Sequence, residues 1–385
     1  MKNYNRTRVF IAACLAMFIF GVMMTMLGSI LPSIFEKYGL TSIDAGSLFL
    51  FMTSGMLAGS MVFGPIVDRF GYKILMIASA AVILCGLEFI AAASTIGIVK
   101  LSLVLIGFGG GVINGGGNAL VADIAEEKSA DLSLLGVFFG LGAFSVPFVL
   151  GSLLSVFSYE AIIAGIGFLI AIPLVFFVVI AFPTPKHPQG MPIREGVGLL
   201  KNPRLVLLGL ILFFESGMEI ASGGWISSFI TREFILSGDR AVVILSLYWL
   251  GMMGARIVLN KILKKAIPAR VFITSVFIAF CGSVLLIGSG MIGVASAGVV
   301  LLGIGLAAAY PIILGYVGSM YPDISGTAFS VVFVMALIGG MVIPYGMGIL
   351  GAYFGFRASF AVVSVSLVMQ IALFVFYSRS AAKQA

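Results

Sequence analysis

Two carboxylic acids, Glu215 and Glu219, lie four residues apart within a long apolar stretch of the chain. Residues at this spacing share one face of a helix, so the two carboxyl groups are expected to lie side by side. Such groups repel each other, which favours protonating one of them or placing a cation between them. The pair could therefore bind and release H⁺ or Na⁺. The alternative is a packing role, in which one glutamate is bonded to a neighbouring helix.

Amide and aromatic side chains add groups that could bind a polar solute. Asn114 and Asn118 share a helical face in a glycine-rich stretch. Their amides suit sugar hydroxyls, although hydrogen bonding between helices is the alternative. Trp225 and Tyr310 could stack on the apolar face of a sugar ring, and aromatic belts at membrane interfaces use the same residue types. Arg256 could pair with a carboxylate or act as a gate, with a snorkelling structural role as the alternative.

Membrane helices must position these side chains. The chain is 61% apolar and only 10% charged, with a mean hydropathy of +1.20, and a soluble protein of this size needs more charge to cover its surface. Apolar runs of about 20 residues or more recur throughout, each long enough to cross about 30 Å of hydrocarbon as a helix. The sequence therefore predicts an all-α membrane protein with about twelve transmembrane helices, at residues 8–32, 43–66, 72–95, 99–122, 131–157, 160–182, 204–231, 240–262, 269–290, 292–320, 325–353 and 355–378.

The net charge of +7 arises from basic residues in short loops between these spans, so it does not indicate nucleic-acid binding. Placing both termini in the cytoplasm puts most Lys and Arg residues on the cytoplasmic side, as the positive-inside rule requires. We expect a multi-pass, monomeric protein of the plasma membrane, which in a bacterium is the inner membrane. The basic residues then predicted on the outer side are Lys37, Lys100, Arg232, Arg240 and Arg357.

The sequence does not predict a catalytic or metal centre. His187 is the single histidine, and the three cysteines fall in apolar runs without metal-ligand spacing. Phosphate-binding loops, nucleophile elbows and zinc motifs are absent from the sequence. We therefore expect neither an enzyme nor a bound cofactor, and H⁺ or Na⁺ as a possible coupling ion.

A proline-rich polar stretch divides the chain near its middle. We expect an N-terminal six-helix half at 1–182, a cytoplasmic linker at 183–203 and a C-terminal six-helix half at 204–385. The halves repeat: Gly142-x4-Pro147-x3-Gly151 matches Gly339-x4-Pro344-x3-Gly348 at an offset of 197, and Gly107-Phe-Gly109 matches Gly303-Ile-Gly305 at an offset of 196. An offset of 196 also aligns Asn114 with Tyr310. Parallel repeats of this kind predict a solute site between the halves, near the midplane.

The segment after the second span reads Gly64-Pro-Ile-Val-Asp68-Arg69-Phe-Gly71-Tyr-Lys73. It resembles the signature loop of the major facilitator superfamily. The resemblance implies the major facilitator fold, with two pseudo-symmetric six-helix halves. It also implies a gating role for Asp68 and Arg69 on the cytoplasmic side.

A narrower resemblance is to the fucose-permease-like sugar symporters, including the sodium–glucose branch. It rests on Glu219-x3-Gly223-Gly224-Trp225 in span seven, on Trp249 and Arg256 in span eight, and on Tyr310-Pro311 in span ten. The resemblance implies a sugar-like substrate and H⁺ or Na⁺ coupling. Asn114 stands where the proton-coupled members keep an acid, so Glu219, with Glu215 beside it, is the expected coupling residue.

These features together predict a secondary active transporter that moves a small polar solute, a sugar in our interpretation, by alternating access. A drug or amphiphile exporter of the same superfamily is the alternative within transport. A membrane receptor that binds without transporting is the alternative from another class, although the acids at membrane depth argue against it.

Overall fold

The computed structural model describes residues 4–124, 128–185, 198–321 and 325–382, and their regular structure is helical throughout. The helices in chain order are α1 Arg6–Tyr38, α2 Ser42–Ala91, α3 Ile96–Ile124, α4 Lys128–Leu153, α5 Tyr159–Val179, α6 Pro203–Glu233, α7 Gly238–Leu263, α8 Pro268–Gly288, α9 Ile292–Leu306, α10 Ala309–Met320, α11 Ser325–Phe354 and α12 Phe356–Ala382.

Helix α2 contains two of the predicted spans. It is 50 residues long, about 75 Å at 1.5 Å per residue, which is more than twice the thickness of the hydrocarbon layer. Gly71 interrupts it with φ 77° and ψ 170°, a conformation that favours glycine because a side chain would be strained there. Residues 42–70 and 72–91 are therefore separate spans joined at Gly71.

The number of spans agrees with the sequence prediction. Eleven helices of the described chain are long and apolar enough to cross a membrane when α2 is counted once and α9 and α10 are counted together as Ile292–Met320. Dividing α2 at Gly71 gives the expected twelve. The prediction of an all-α membrane protein with about twelve transmembrane helices is confirmed.

Helix boundaries follow local sequence signals. The side chain of Asn5 caps α1 by accepting a hydrogen bond from the backbone N–H of Arg8. Asn202 caps α6 in the same way, with Pro203 in the first turn, where the missing N–H of proline has no cost. Helix α1 ends at Gly39 in the left-handed conformation, as glycine permits.

The chain divides into two compact units. Unit 1 comprises Met1–Leu40, Leu48–Gly190 and Ser237–Ser246, and unit 2 comprises Thr41–Ser47, Met191–Leu236 and Leu247–Ala385. The predicted boundaries at 182 and 204 remain predictions. Most of the predicted linker, including His187, lies outside the described residues.

The repeated glycines lie at close contacts between helices inside each unit. An added methyl group would overlap a backbone carbonyl oxygen of the next helix at all four positions: Gly142 meets Phe18 and Gly107 meets Met52 in unit 1, and Gly339 meets Phe213 and Gly303 meets Tyr248 in unit 2. Small residues allow this approach between membrane helices. The repeat in the sequence therefore corresponds to equivalent packing of α4 on α1 and of α11 on α6.

Candidate functional site

Glu219 and Arg256 form a charge pair inside unit 2. Glu219 lies on α6 and is 7% exposed, and its Oε2 atom is 3.7 Å from Nη2 of Arg256 on α7. A charged group at membrane depth is costly without a partner of opposite sign. The structure thus brings together the residue predicted for coupling, Glu219, and one predicted for gating, Arg256.

Glu215 lies one turn earlier on the same helix and contacts a different partner. Its side chain is fully buried, and its Oε2 atom accepts a hydrogen bond of 2.7 Å from Nε2 of Gln370 on α12. Gln370 is not among the site residues predicted from the sequence. An isolated amide in the last apolar run was the signal that could have identified it, since polar groups at this depth need a reason.

Tyr310 lies beside the two acids. It occupies the first turn of α10, directly after the break at Ala307 and Ala308 that separates this helix from α9. Its hydroxyl group is hydrogen-bonded to the side chain of Ser216 and interacts electrostatically with Glu219. Its ring stacks on that of Phe333 at a centroid distance of 6.3 Å.

Trp225 is held within unit 2. It is 1% exposed, and its indole N–H donates a hydrogen bond of 3.1 Å to the carbonyl oxygen of Pro344 on α11. Its ring meets Phe356 edge-on at a centroid distance of 5.8 Å. These contacts give Trp225 a packing role, and the predicted contact with a solute remains a prediction.

Asn114 and Asn118 form a second polar group, on α3 of unit 1. The Nδ2 atom of Asn118 donates to the backbone oxygen of Asn114 at 2.9 Å and to its Oδ1 atom at 3.0 Å. Asn114 is half-buried and Asn118 is exposed. The shared face expected from their spacing is present, and it carries no charge.

The signature segment at Gly71 carries exposed charges. Asp68 and Arg69 are both exposed, and the guanidinium group of Arg69 lies 5.2 Å from the ring centre of Phe70. Next to them, the hydroxyl group of Tyr72 donates a hydrogen bond of 2.8 Å to Asp123, which is buried. Tyr72 is not among the predicted site residues, because nothing in its local sequence indicates a partner 51 positions away.

Comparisons with known proteins agree with this architecture. The model of the family described as Major Facilitator Superfamily matches residues 13–298. Over 192 residues, 49% of this chain, the chain is 27% identical to the 4-hydroxybenzoate transporter PcaK of Pseudomonas aeruginosa, of which it covers 42%. It is 21% identical to the glucose/mannose transporter GlcP of Bacillus subtilis, covering 86% of this chain and 85% of that protein.

A further relative is the sodium-dependent glucose transporter 1A of Mus musculus, with 24% identity over 60% of this chain and 63% of that protein. The chain thus spans less than two thirds of the first and third of these relatives. Among solved structures, a bacterial homolog of the human lysosomal transporter Spinster superposes with a TM-score of 0.79 at 14% identity, covering 98% of both chains.

That structural likeness shows the fold alone, whereas the family model covers well over half of the chain. The relatives are transporters and not enzymes. This chain therefore belongs to the Major Facilitator Superfamily of membrane transporters.

Proposed function

We propose that the chain is a secondary active transporter that moves a sugar, or another small hydroxyl-rich solute, by alternating access with H⁺ or Na⁺ coupling. The pair formed by the buried Glu219 and the half-buried Arg256, 3.7 Å apart, is the observation that carries this proposal. The two charges compensate each other, so the cluster suits a neutral solute. The relatives named for glucose, mannose and sodium-dependent glucose transport support the same solute class.

Coupling takes place at Glu219 in this proposal, whereas Glu215, the second acid that the sequence predicts for coupling, contacts Gln370 instead of Arg256. A proton or Na⁺ that binds Glu219 removes the charge facing Arg256. The guanidinium group, with its five N–H donors, is then released to bind solute hydroxyls. Occupancy of Glu219 by a cation and binding of the solute would thus favour each other, which is the reciprocity that symport requires.

Solute binding in this proposal uses Asn114, Asn118, Tyr310 and Trp225 in addition to Glu219. The amides and the phenol hydroxyl supply uncharged hydrogen-bonding groups, and the rings supply an apolar face for a sugar. Asn114 and Tyr310 are aligned by the repeat. We further propose that Asp68 and Arg69 gate the cytoplasmic side, and that the protein is a monomer of the plasma membrane with both termini in the cytoplasm.

Transport in proteoliposomes tests the proposal. The purified protein is given labelled glucose, mannose, 4-hydroxybenzoate or an amphiphilic cationic dye, each with an imposed H⁺ gradient, an imposed Na⁺ gradient or no gradient. We expect a sugar to accumulate when one ion gradient points inward. Export of the dye would favour the exporter alternative, uptake of 4-hydroxybenzoate alone would favour an organic-anion carrier, and binding without flux would favour a receptor.

A further inference from the structure

The contact between Glu215 and Gln370 leaves two buried oxygen atoms without a hydrogen-bond donor in the described part of the chain. The Gln370 amide donates to Oε2 of Glu215 at 2.7 Å. The other oxygen of each side chain, Oε1 of Glu215 and Oε1 of Gln370, is buried without a hydrogen-bond partner among the described residues. Both side chains are fully buried.

An ionised carboxylate accepts hydrogen bonds and donates none, whereas a protonated one has an O–H donor. A carboxylate buried at membrane depth with one neutral hydrogen bond is costly, because nothing replaces the lost hydration. A proton on Oε1 of Glu215 removes that charge. The O–H group of protonated Glu215 is also a hydrogen-bond donor. It lies next to the amide of Gln370, whose oxygen has no hydrogen-bond partner among the described residues.

Other contacts between α6 and α12 lie toward the helix ends, where Arg204 donates to the backbone oxygen of Ser380 and Glu233 forms an ion pair with Arg357. Helices α6 and α12 also meet through Phe229 and Phe360, whose ring centres are 4.6 Å apart. The ionisable groups that interact with Glu215 are Glu219 on its own helix, Arg256 and Tyr248 on α7 and Tyr310 on α10. One arginine faces two acids in this set, so the cluster is neutral overall only when one acid carries a proton.

We propose that Glu215 is a permanently neutral acid, held by Gln370 in an acid–amide pair that joins α6 to α12. Glu215 keeps its proton throughout the transport cycle and is a positioning residue, since it fixes the rotation of α6 that presents Glu219 to Arg256. The exchange of H⁺ or Na⁺ is thereby assigned to Glu219 alone. This assignment of roles rests on the proposed function, whereas the protonated state of Glu215 does not.

Infrared spectroscopy of the full-length protein in lipid tests the protonated state without a substrate. We expect a carbonyl band of a protonated carboxylic acid that persists from mildly acidic to mildly alkaline pH. The band should be lost in Glu215→Gln, be retained in Glu219→Gln and shift in Gln370→Leu, in which the hydrogen-bond partner is removed. A band that disappears as the pH rises through neutrality, or one that survives Glu215→Gln, would overturn the proposal.

Transport assays test the division of roles. Glu215→Gln keeps an amide–amide pair with Gln370, so we expect accumulation at the wild-type ratio with an unchanged pH profile, whereas Glu219→Gln loses accumulation. The exchange variant Glu215→Gln with Gln370→Glu rebuilds the acid–amide pair in reverse and should also accumulate solute. Loss of accumulation with retained counterflow in Glu215→Gln would show that Glu215 exchanges the proton. The infrared measurement does not depend on transport. If the wild type transports no solute, the proposed function fails, while the infrared bands still show whether Glu215 is protonated.

Discussion

Unit 1 and unit 2 share a packing frame but differ in the polar groups that they carry. In both units a repeated glycine allows close packing of two helices: Gly142 lets α4 approach α1, and Gly339 lets α11 approach α6. The offset of 196 aligns Glu219 with Met23, which is fully buried. The repeat therefore keeps the positions at which helix backbones touch and leaves the chemistry of the polar positions free to differ.

Ion pairs between helix ends show the same divergence in another form. Lys37 and Glu160 form an ion pair of 3.0 Å in unit 1, and Glu233 and Arg357 form one of 2.7 Å in unit 2. The offsets of 196 and 197 align Lys37 with Glu233 and Glu160 with Arg357. The pair is kept with its signs exchanged, because an ion pair between two helix ends needs opposite charges but not a particular order.

The largest expected effect comes from removing the charge of Glu219, which is aligned with the uncharged Met23 in unit 1. We expect Glu219→Gln to abolish gradient-driven accumulation and to retain binding or exchange of solute, because the amide keeps the size and hydrogen bonding of the acid but cannot take up a cation. Accumulation compared with counterflow in proteoliposomes measures this effect. Glu88→Gln, the same change at a half-buried glutamate in unit 1, is the control and should leave accumulation intact. Uphill transport by Glu219→Gln at the wild-type ratio would exclude Glu219 as the coupling site.

Asp68→Asn tests the signature segment of unit 1. We expect slower transport in a protein that still folds and inserts, together with greater labelling of cysteines placed on the cytoplasmic side, because the substitution removes the acidic charge that closes the cytoplasmic side in our proposal. Transport rate and labelling rate are measured on the same preparation. Unchanged values of both would leave Asp68 without a gating role.

Because Gly142 and Gly339 make equivalent contacts in the two units, we expect their substitution by alanine to lower the free energy of unfolding by similar amounts. Gly142→Ala and Gly339→Ala each drive a methyl group into a backbone carbonyl, of Phe18 and of Phe213 respectively. We expect each to lower the free energy of unfolding by about 1–3 kcal/mol, as overpacking does. Thermal unfolding in detergent gives the comparison.

The controls for these variants lie on the same two helices. An added methyl group at Gly136 on α4 or at Gly346 on α11 meets no atom within 4 Å. Gly136→Ala and Gly346→Ala should therefore be neutral or slightly stabilising. An equal loss of stability in all four variants would contradict the role of close packing at Gly142 and Gly339. A loss of stability at Gly142 alone would show that the two units are not packed in the same way.

The uncharged polar group of unit 1 has a smaller expected effect. We expect Asn114→Ala to weaken solute binding by about 1–3 kcal/mol, the cost of leaving partner groups without hydrogen bonds. The variant also removes the Oδ1 atom that accepts from Asn118. Isothermal titration with the transported sugar measures the change. An isotherm that matches the wild type would assign Asn114 to helix packing.

The ion pairs between helix ends have the smallest expected effect. Lys37→Glu should lower stability by placing two acids together, and Lys37→Glu with Glu160→Lys should restore it by rebuilding the order found in unit 2. Exposed pairs contribute about 0.2–1 kcal/mol, so a double-mutant cycle on unfolding temperature is needed. A coupling energy of zero would mean that the pair is an incidental contact.

The helices and the candidate site residues could be predicted from the sequence. The span predicted at 204–231 is α6, Pro203–Glu233, because the length of an apolar run is a one-dimensional property that bilayer thickness fixes. The spacing of Glu215 and Glu219 places them on one face for the same local reason. The two glycine repeats could be predicted as well, since equal packing requires equal small residues at equal offsets.

Which residues are partners depends on the three-dimensional packing of the helices. Gln370 lies 155 positions from Glu215, and the indole of Trp225 is bonded to Pro344, 119 positions away. Such pairs depend on how far each helix is rotated about its axis. In a soluble helix an apolar stripe indicates that rotation, but lipid tails are as apolar as the protein core, so membrane helices are apolar on both sides. The rotation is then set by contacts between helices, which the sequence of a single helix does not contain.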